Sequence, residues 1–346
     1  MTTLTLETQI PKARTRRSPP LFFAVHDLCN LRCWYCTEQG ENRDKGRWLE
    51  LDRLMDVLGV AYARGIRTFR VTGGEPTLRH ELDEILLGTQ ALGDDVQIAM
   101  TTNGHRLDRH IDTLRRLNKP RIFLSVDRPP GDHDDCDDAL AVPKLLTPAL
   151  ERTIDDLTGV ASVRLNFVLT RGTLPYVWPI IDAAIERRID VKIFELLHRD
   201  YFWAGQRPPG EVFLDQYVSI RTLLPELRAR FGQAEPFGGT GGRGIPMHAF
   251  RNGPSRIIYF DSQEGSHYGA ICQRECPRFP CQEGLYALLL DVNGTLHPAG
   301  CENTDLYMPL AGADATKTDF AFSRLESVLD LAELLKVKPR PLKPKE

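Results

Sequence analysis

Short apolar runs alternate with segments of helical spacing six times between residues 21 and 231. Because a strand followed by a helix returns to a parallel neighbour through a right-handed crossover, this alternation predicts an α/β fold with a parallel sheet. Six units predict a partial, TIM-like (β/α)6 barrel, since eight units would close one. The predicted strands are 21–26, 68–72, 96–101, 121–126, 161–169 and 191–196, and the predicted helices are 49–64, 81–92, 109–117, 147–157, 176–187 and 211–230.

The strand–helix alternation stops near residue 231, which divides the chain into four predicted parts. A polar lead of residues 1–20 precedes the partial barrel at 21–231. Residues 232–320 follow with a glycine-rich loop and four cysteines, and we expect an auxiliary metal region there. Residues 321–346 are predicted to form one late helix, 323–335, and a solvated basic tail, since chain termini are generally mobile.

The composition excludes several classes of protein. A net charge of −3 gives no broad basic surface for nucleic acid. No apolar run is long enough to span a membrane, and the first twenty residues lack the apolar core of a secretory signal. We therefore expect a cytoplasmic protein without nucleic-acid or membrane partners. In that reducing compartment the eight cysteines are better explained as metal ligands than as disulfides.

Three cysteines, Cys29, Cys33 and Cys36, follow the first predicted strand with the spacing C-x3-C-x2-C. Three thiolates on one loop can hold three irons of a four-iron cluster and leave the fourth iron open for a cofactor. The alternative is a zinc site with His26 as the fourth ligand. The second predicted strand ends at 73–76 in Gly-Gly-Glu-Pro, which by itself is also compatible with a plain glycine turn.

Together these motifs resemble the radical S-adenosylmethionine (SAM) superfamily, in which an aromatic residue, here Tyr35, precedes the third cysteine. The resemblance implies a four-iron cluster at the three cysteines, reductive cleavage of SAM to a 5′-deoxyadenosyl radical, and an electron donor such as flavodoxin or ferredoxin. Later strand ends also resemble the branch that contains the GTP 3′,8-cyclase of molybdenum cofactor biosynthesis, over roughly residues 21–302. By this resemblance the cofactor-binding residues are Tyr35, Gly73, Gly74, Glu75, Pro76, Ser125 and Leu197.

The chain departs from that branch where the branch binds triphosphate. Phe22 stands in place of an arginine, and residues 282–286 replace an arginine-rich turn. Because a triphosphate needs several cationic partners, these losses argue against GTP as the substrate. Arg70 and Arg164 remain and could hold one carboxylate or phosphate, although both could equally be surface arginines in ion pairs. Thr102 is the third predicted substrate residue.

A second cysteine group comprises Cys272, Cys276, Cys281 and Cys301. Four candidate ligands predict a fully ligated second four-iron cluster, with a closed zinc site as the alternative. A hairpin turn at 291–295, centred on Asn-Gly, would bring Cys301 back toward Cys281. The eighth cysteine, Cys136, lies in an acidic segment at 132–138, which we interpret as a solvated loop.

The resulting hypothesis is a lyase-type radical SAM enzyme that abstracts hydrogen from a small anionic nucleoside, nucleotide or sugar acid. The reaction would end in elimination, decarboxylation or cyclisation. Radical tailoring enzymes in nucleoside-antibiotic biosynthesis resemble this pattern, cytosylglucuronate decarboxylase among them. The alternatives are an authentic GTP 3′,8-cyclase, a peptide-modifying radical SAM enzyme, and a non-enzymatic zinc-binding protein.

Overall fold

The structure is a computed structural model that describes residues 18–36, 46–128, 144–198, 209–238, 244–310, 314–329 and 335–337. The acidic segment 132–138 with Cys136, most of the polar lead and nearly all of the basic tail lie outside the described residues. The strands of the described chain are β1 Leu21–Ala24, β2 Thr68–Thr72, β3 Gln97–Thr102, β4 Arg121–Ser125, β5 Ser162–Leu169, β6 Asp190–Glu195, β7 Glu235–Phe237, β8 Met247–Asn252, β9 Ser255–Phe260, β10 Ser266–Tyr268, β11 Leu288–Leu290, β12 Thr295–Pro298, β13 Met308–Pro309 and β14 Leu335–Val337.

Twelve of the described strands form one sheet in the order β13-β12-β11-β1-β2-β3-β4-β5-β6-β9-β8-β7. Strands β1 to β6 are neighbours in chain order, and each pair is parallel. The end strands β13 and β7 are not paired with each other, so the sheet is open. The predicted α/β fold with a partial TIM-like barrel is confirmed.

Two strands beyond the predicted six also join the sheet in parallel. Strand β11 pairs with β1, and β9 pairs with β6, so segments from the region after residue 231 flank the barrel on both sides. Antiparallel hairpins then extend each side, β11–β12 on one and β8–β9 on the other. The predicted domain boundaries stay predictions, but the two regions share one sheet.

The helices lie where their apolar faces can cover the sheet. In the first helix, Leu54, Val57, Leu58 and Ala61 recur at helical spacing and are buried. Gly65, with φ of +94°, follows the end of that helix in a conformation that favours glycine. The helices of the described chain are α1 Leu51–Ala63, α2 Leu82–Gln90, α3 Ile111–Arg115, α4 Pro148–Asp156, α5 Val177–Glu186, α6 Pro209–Gln216, α7 Leu224–Phe231, α8 Ala270–Glu275 and α9 Ala315–Val328.

Two helix predictions were wrong in their extent. The single helix expected at 211–230 is divided into α6 and α7 by a short 3-10 turn, because the buried Glu195 carboxylate accepts the backbone N–H of Ile220 at 2.6 Å. The late helix begins at 315 rather than 323, since the Asp314 side chain caps the backbone N–H groups of Thr316 and Lys317. Among the described residues, no helix is both long enough and apolar enough to cross a membrane.

Candidate active site

The first cysteine group lies on the loop that leaves the carboxyl end of β1. Cys33 is buried, Cys29 is partly buried and Cys36 is exposed. The backbone N–H of Cys36 donates to the Cys33 carbonyl at 3.0 Å, which folds the loop into a turn anchored by the fully buried Trp34. Burial raises the pKa of Cys33 to about 12. A buried cysteine becomes a thiolate only beside a positive charge that stabilises it, and the iron of a cluster would supply that charge.

The 73–76 turn packs directly against this cysteine loop. The backbone N–H of Gly74 donates to the His26 carbonyl, and that of Glu75 to the Leu28 carbonyl, both at 2.7 Å. A Cβ on Gly74 would lie 1.8 Å from the Leu28 carbonyl oxygen, so only glycine fits there. Within this chain the glycines therefore allow the turn to approach the segment before the first cysteine.

The Glu75 carboxylate is buried and joins this turn to the end of β3. One oxygen accepts the Thr77 backbone N–H and the hydroxyls of Thr77 and Thr102, and the other accepts the Asn103 N–H at 2.6 Å. Burial raises the pKa of Glu75, although these four donors lower it. Thr102 is therefore placed beside Glu75 and not in the cavity with Arg70 and Arg164, which leaves its predicted substrate role without a direct contact.

Asp127 and Lys144 form a buried ion pair that holds Tyr35 in place, and the sequence analysis missed both residues. The Tyr35 hydroxyl donates to Asp127, whose other carboxylate oxygen accepts the Val168 N–H at 2.7 Å. The Lys144 ammonium lies 3.7 Å from the same Asp127 carboxylate and 4.8 Å from the centre of the Tyr35 ring. Burial lowers the pKa of Lys144, but Asp127 and the cysteine thiols raise it above its ordinary value overall. Asp127 lies two residues after the last residue of β4, so its position near a strand end was the available signal.

His26, the zinc ligand of the alternative hypothesis, is engaged elsewhere. Its Nε2 atom lies 2.7 Å from the Glu75 carbonyl oxygen, and its side chain is buried. Among the described residues no three His, Cys, Asp or Glu side chains are arranged to hold a single metal ion. The metal-binding roles of both cysteine groups therefore stay predictions.

The inner face of the partial barrel encloses a cavity of about 630 Å³. Arg70 and Arg164 both line it, as does Leu197. Phe22 and Tyr286, which belong to the two predicted departures from the cyclase branch, also line it, with ring centres 6.0 Å apart. Ser125 is half-buried at the end of β4.

Three partly buried cations face this cavity without a carboxylate partner among the described residues. The Arg70 guanidinium lies 4.8 Å from the Phe22 and Phe123 ring centres, and that of Arg164 lies 3.9 Å from Phe123. The third cation is Lys192, which the sequence analysis missed. Burial lowers the pKa of Arg70 to about 10, and burial with Arg70 nearby lowers that of Arg164 to about 9. The alternative of two surface arginines in ion pairs was wrong.

The four cysteines of the second group line one small cavity, with Tyr268 and Phe279 on its walls. The turn at 291–295 forms the predicted hairpin between β11 and β12, where the Asp291 N–H donates to the Thr295 carbonyl at 2.9 Å. Burial, together with the neighbouring thiols, raises the pKa of Cys301 to about 12 and that of Cys272 to about 11. Four cysteines around one cavity supply the soft sulfur donors that an iron–sulfur cluster uses as ligands.

Residues 24–144 match the model of the radical SAM superfamily. A GTP 3′,8-cyclase of Paenarthrobacter nicotinovorans is 30% identical over 229 residues, 63% of this chain and 62% of that protein. A GTP 3′,8-cyclase of Stenotrophomonas maltophilia strain R551-3 is 28% identical over 66% of this chain and 71% of that protein. A probable GTP 3′,8-cyclase of Archaeoglobus fulgidus is 36% identical over 31% of this chain. The chain thus spans 62% of the first cyclase and 35% of the third.

Solved structures show the same fold. The crystal structure of Streptococcus suis SuiB bound to S-adenosylmethionine aligns with 90% of this chain and 68% of its own, with a TM-score of 0.55 and 14% identity. The structure of anSMEcpe with bound AdoMet aligns with 89% of this chain and 80% of its own, with a TM-score of 0.53 and 18% identity.

Proposed function

We propose that the chain is a radical SAM enzyme, since residues 24–144 match the model of that superfamily, and that its substrate is a small metabolite with one anionic group. We infer a nucleoside, nucleotide or sugar acid from the size and charge of the cavity. This proposal rests on three basic side chains that face the cavity, Arg70, Arg164 and Lys192, none of which forms an ion pair with a carboxylate among the described residues. Desolvated cations of this kind are stabilised by an incoming anion.

The residues of the site have distinct roles in this proposal. Cys29, Cys33 and Cys36 would hold a [4Fe-4S] cluster, which with SAM supplies a 5′-deoxyadenosyl radical for hydrogen abstraction. Leu197 offers an apolar contact for adenine on the cavity wall. Ser125 offers a hydroxyl at the same end of the sheet. Tyr35 is held by Asp127, so its ring keeps the cysteine loop in one orientation.

Within the cavity, the chain's own groups bind and orient the substrate. Arg70 is fixed by its Nε–H, which donates to the Thr101 hydroxyl at 2.7 Å, and Arg164 by its Nε–H, which donates to Asn166 at 3.1 Å. The terminal nitrogens of both guanidinium groups remain available to bind a carboxylate or phosphate in a bidentate manner. The aromatic rings beside them lower the local polarity, which strengthens these contacts. Elimination, decarboxylation or cyclisation of a lyase type would follow hydrogen abstraction.

The second cysteine group would hold a further [4Fe-4S] cluster ligated by all four sulfurs, with an electron-transfer or structural role. An electron donor such as flavodoxin or ferredoxin would reduce the first cluster in the cytoplasm. Tailoring of a nucleoside antibiotic is one pathway that would use this chemistry.

The second candidate function is GTP 3′,8-cyclase, which the sequence similarity favours. The cavity favours the first candidate, because Phe22 and Tyr286 form an apolar wall where a triphosphate needs cations. Charge-assisted hydrogen bonds contribute about 1.5–3 kcal/mol each. Loss of two of them would weaken GTP binding by roughly a hundredfold or more.

The test is to incubate the anaerobically reconstituted enzyme and a reductant with SAM and either GTP, a nucleoside monophosphate or a nucleoside glucuronate. Mass spectrometry then detects the product and 5′-deoxyadenosine. We expect conversion of a singly anionic compound, an increase in its KM of about tenfold or more in Arg164→Ala, and no change in the exposed control Arg115→Ala. Efficient cyclisation of GTP would refute the proposal in favour of the cyclase.

A further inference from the structure

Lys192 occupies a special place among the cavity cations. In the sheet register it pairs with Asn166, which in turn pairs with Ser125. Lys192 is therefore at the same level across the sheet as Ser125, which is predicted to bind the cofactor. This level is two residues closer to the carboxyl ends of the strands than that of Arg164. The Lys192 ammonium nitrogen lies 4.2 Å from the Phe194 ring centre and 5.6 Å from that of Phe260, so its immediate surroundings are largely apolar.

The charged groups around Lys192 come from several strands, and most are positive. Asp190 on the same strand is already held by Arg256, whose guanidinium lies 2.5 Å from it and whose backbone N–H donates to it at 2.9 Å. Arg164 and Arg70 both act on Lys192 by repulsion. The titratable and charged groups that line the cavity with Lys192 are Arg70 on β2, Arg121 on β4, Arg164 on β5, Asp190 on β6, Arg256 on β9, and Glu283 and Tyr286 before β11.

Three partly buried basic side chains that share one cavity cannot all keep their protons equally well. A guanidinium group is effectively always charged, whereas a lysine amine loses its proton readily when buried beside other cations. Burial lowers the pKa of Lys192 well below its ordinary value, and Arg164 and Arg70 lower it further. Lys192 lines one cavity with Arg70 and Arg164, lies against two aromatic rings and forms no ion pair with a carboxylate among the described residues, so the free cavity favours its neutral amine.

We propose that Lys192 is a neutral amine in the free enzyme and takes up one proton when the anionic group of the substrate binds beside Arg70 and Arg164. The inference rests on the proposed function, since it assumes an anionic ligand in this cavity. The proton comes from solvent and adds to the Nζ lone pair, and the ligand's negative charge then stabilises the ammonium. Lys192 thereby couples recognition of an anion to a change in the charge of the cavity.

Calorimetric titration of the reconstituted full-length protein with sulfate tests this coupling. Sulfate keeps its charge throughout the neutral range, so any proton uptake belongs to the protein. Titrations at pH 8 in two buffers of different ionisation enthalpy, such as Tris and HEPES, give the number of protons bound per sulfate. We expect about one proton per sulfate, and at higher pH a fall in the binding constant of about tenfold per pH unit.

Four variants locate the effect. Lys192→Arg carries a permanent charge, so it should bind sulfate with no proton uptake, and Lys192→Met should bind sulfate more weakly, also without uptake. The exposed control Lys317→Met should behave as the parent does. Arg164→Ala should lose most of the sulfate binding, which places the ion in the cavity.

The outcomes separate this inference from the proposed function. Sulfate binding without proton uptake would show that Lys192 is already charged and would overturn the inference alone. Persistent uptake in Lys192→Met would also overturn it, because another group would then be the acceptor. Absence of sulfate binding to the parent protein would refute the anion site itself and the inference with it.

Discussion

Glu75→Gln is a nearly isosteric change at the most heavily hydrogen-bonded carboxylate of the candidate site. Four donors converge on Glu75: the backbone N–H and hydroxyl of Thr77, the hydroxyl of Thr102 and the backbone N–H of Asn103. These contacts hold the 73–76 turn and the end of β3 in one geometry. Replacement of one oxygen by an amide nitrogen must therefore disturb both segments.

The expected magnitude follows from the donor count. In the better of its two orientations, the glutamine keeps the oxygen that faces Thr77 and Thr102 and points its NH2 group at the Asn103 N–H. One charge-assisted hydrogen bond is lost, at about 1.5–3 kcal/mol, and a buried donor is stranded, at about 1–3 kcal/mol. Removal of a buried charge offsets part of this loss, because burial already raises the pKa of Glu75. The net destabilisation should be about 3 kcal/mol.

Anaerobic thermal unfolding measures this loss, and SAM affinity is measured in parallel. At about 2 °C per kcal/mol for a large domain, Glu75→Gln should lower Tm by about 6 °C. The matched control is Glu84→Gln, an exposed glutamate on α2, which should change Tm by less than about 1 °C. Thr102→Val should be less than additive with Glu75→Gln, since the two residues share one hydrogen bond. Equal melting temperatures for Glu75→Gln and Glu84→Gln would refute the argument.

Two further predictions concern the cysteine loop and its support. Replacement of Cys29, Cys33 and Cys36 together by alanine should abolish 5′-deoxyadenosine formation and leave about four irons at the second cysteine group; one tightly held zinc and no iron would contradict the second cluster. Asp127→Asn should lower stability by about 3 kcal/mol, because it leaves Lys144 buried without its counter-charge. The exposed Asp56→Asn is the control for Tm, and unchanged stability of Asp127→Asn would contradict the role of the pair.

The central strands could be predicted from the sequence because each is a short apolar run bounded by a turn. For β2, the predicted bounds 68–72 agree with the structure, and β1 and β3 differ by one or two residues. Helix boundaries were less predictable where a side chain from a distant part of the chain decides them. Glu195 interrupts the 211–230 segment from the end of β6, and no local periodicity reports such a contact.

The candidate site was predictable where its residues lie in a strand, or directly after one, as part of a recognisable motif. Arg70 and Arg164 were found through their motif positions, and the structure places both in the cavity. Lys192 and Lys144 were missed because neither belongs to a motif. Their importance comes from burial among other cations and beside Asp127, which only the three-dimensional arrangement reveals.

The sheet order brings together the two predicted departures from the cyclase branch, which lie far apart in sequence. Strand β11 pairs in parallel with β1, and Phe22 lies opposite Leu289. Phe22 and the segment 282–286, which leads into β11, therefore share one wall of the cavity. The Phe22 and Tyr286 rings contact each other there, edge to face, and Phe22 also covers the Arg70 guanidinium. A basic side chain in place of Phe22 or Tyr286 would lie against an aromatic ring and near the Arg70 guanidinium rather than in solvent. The two predicted departures therefore lie in one aromatic wall, which leaves the binding of an anion to the basic side chains that line the cavity from β2, β4, β5, β6 and β9.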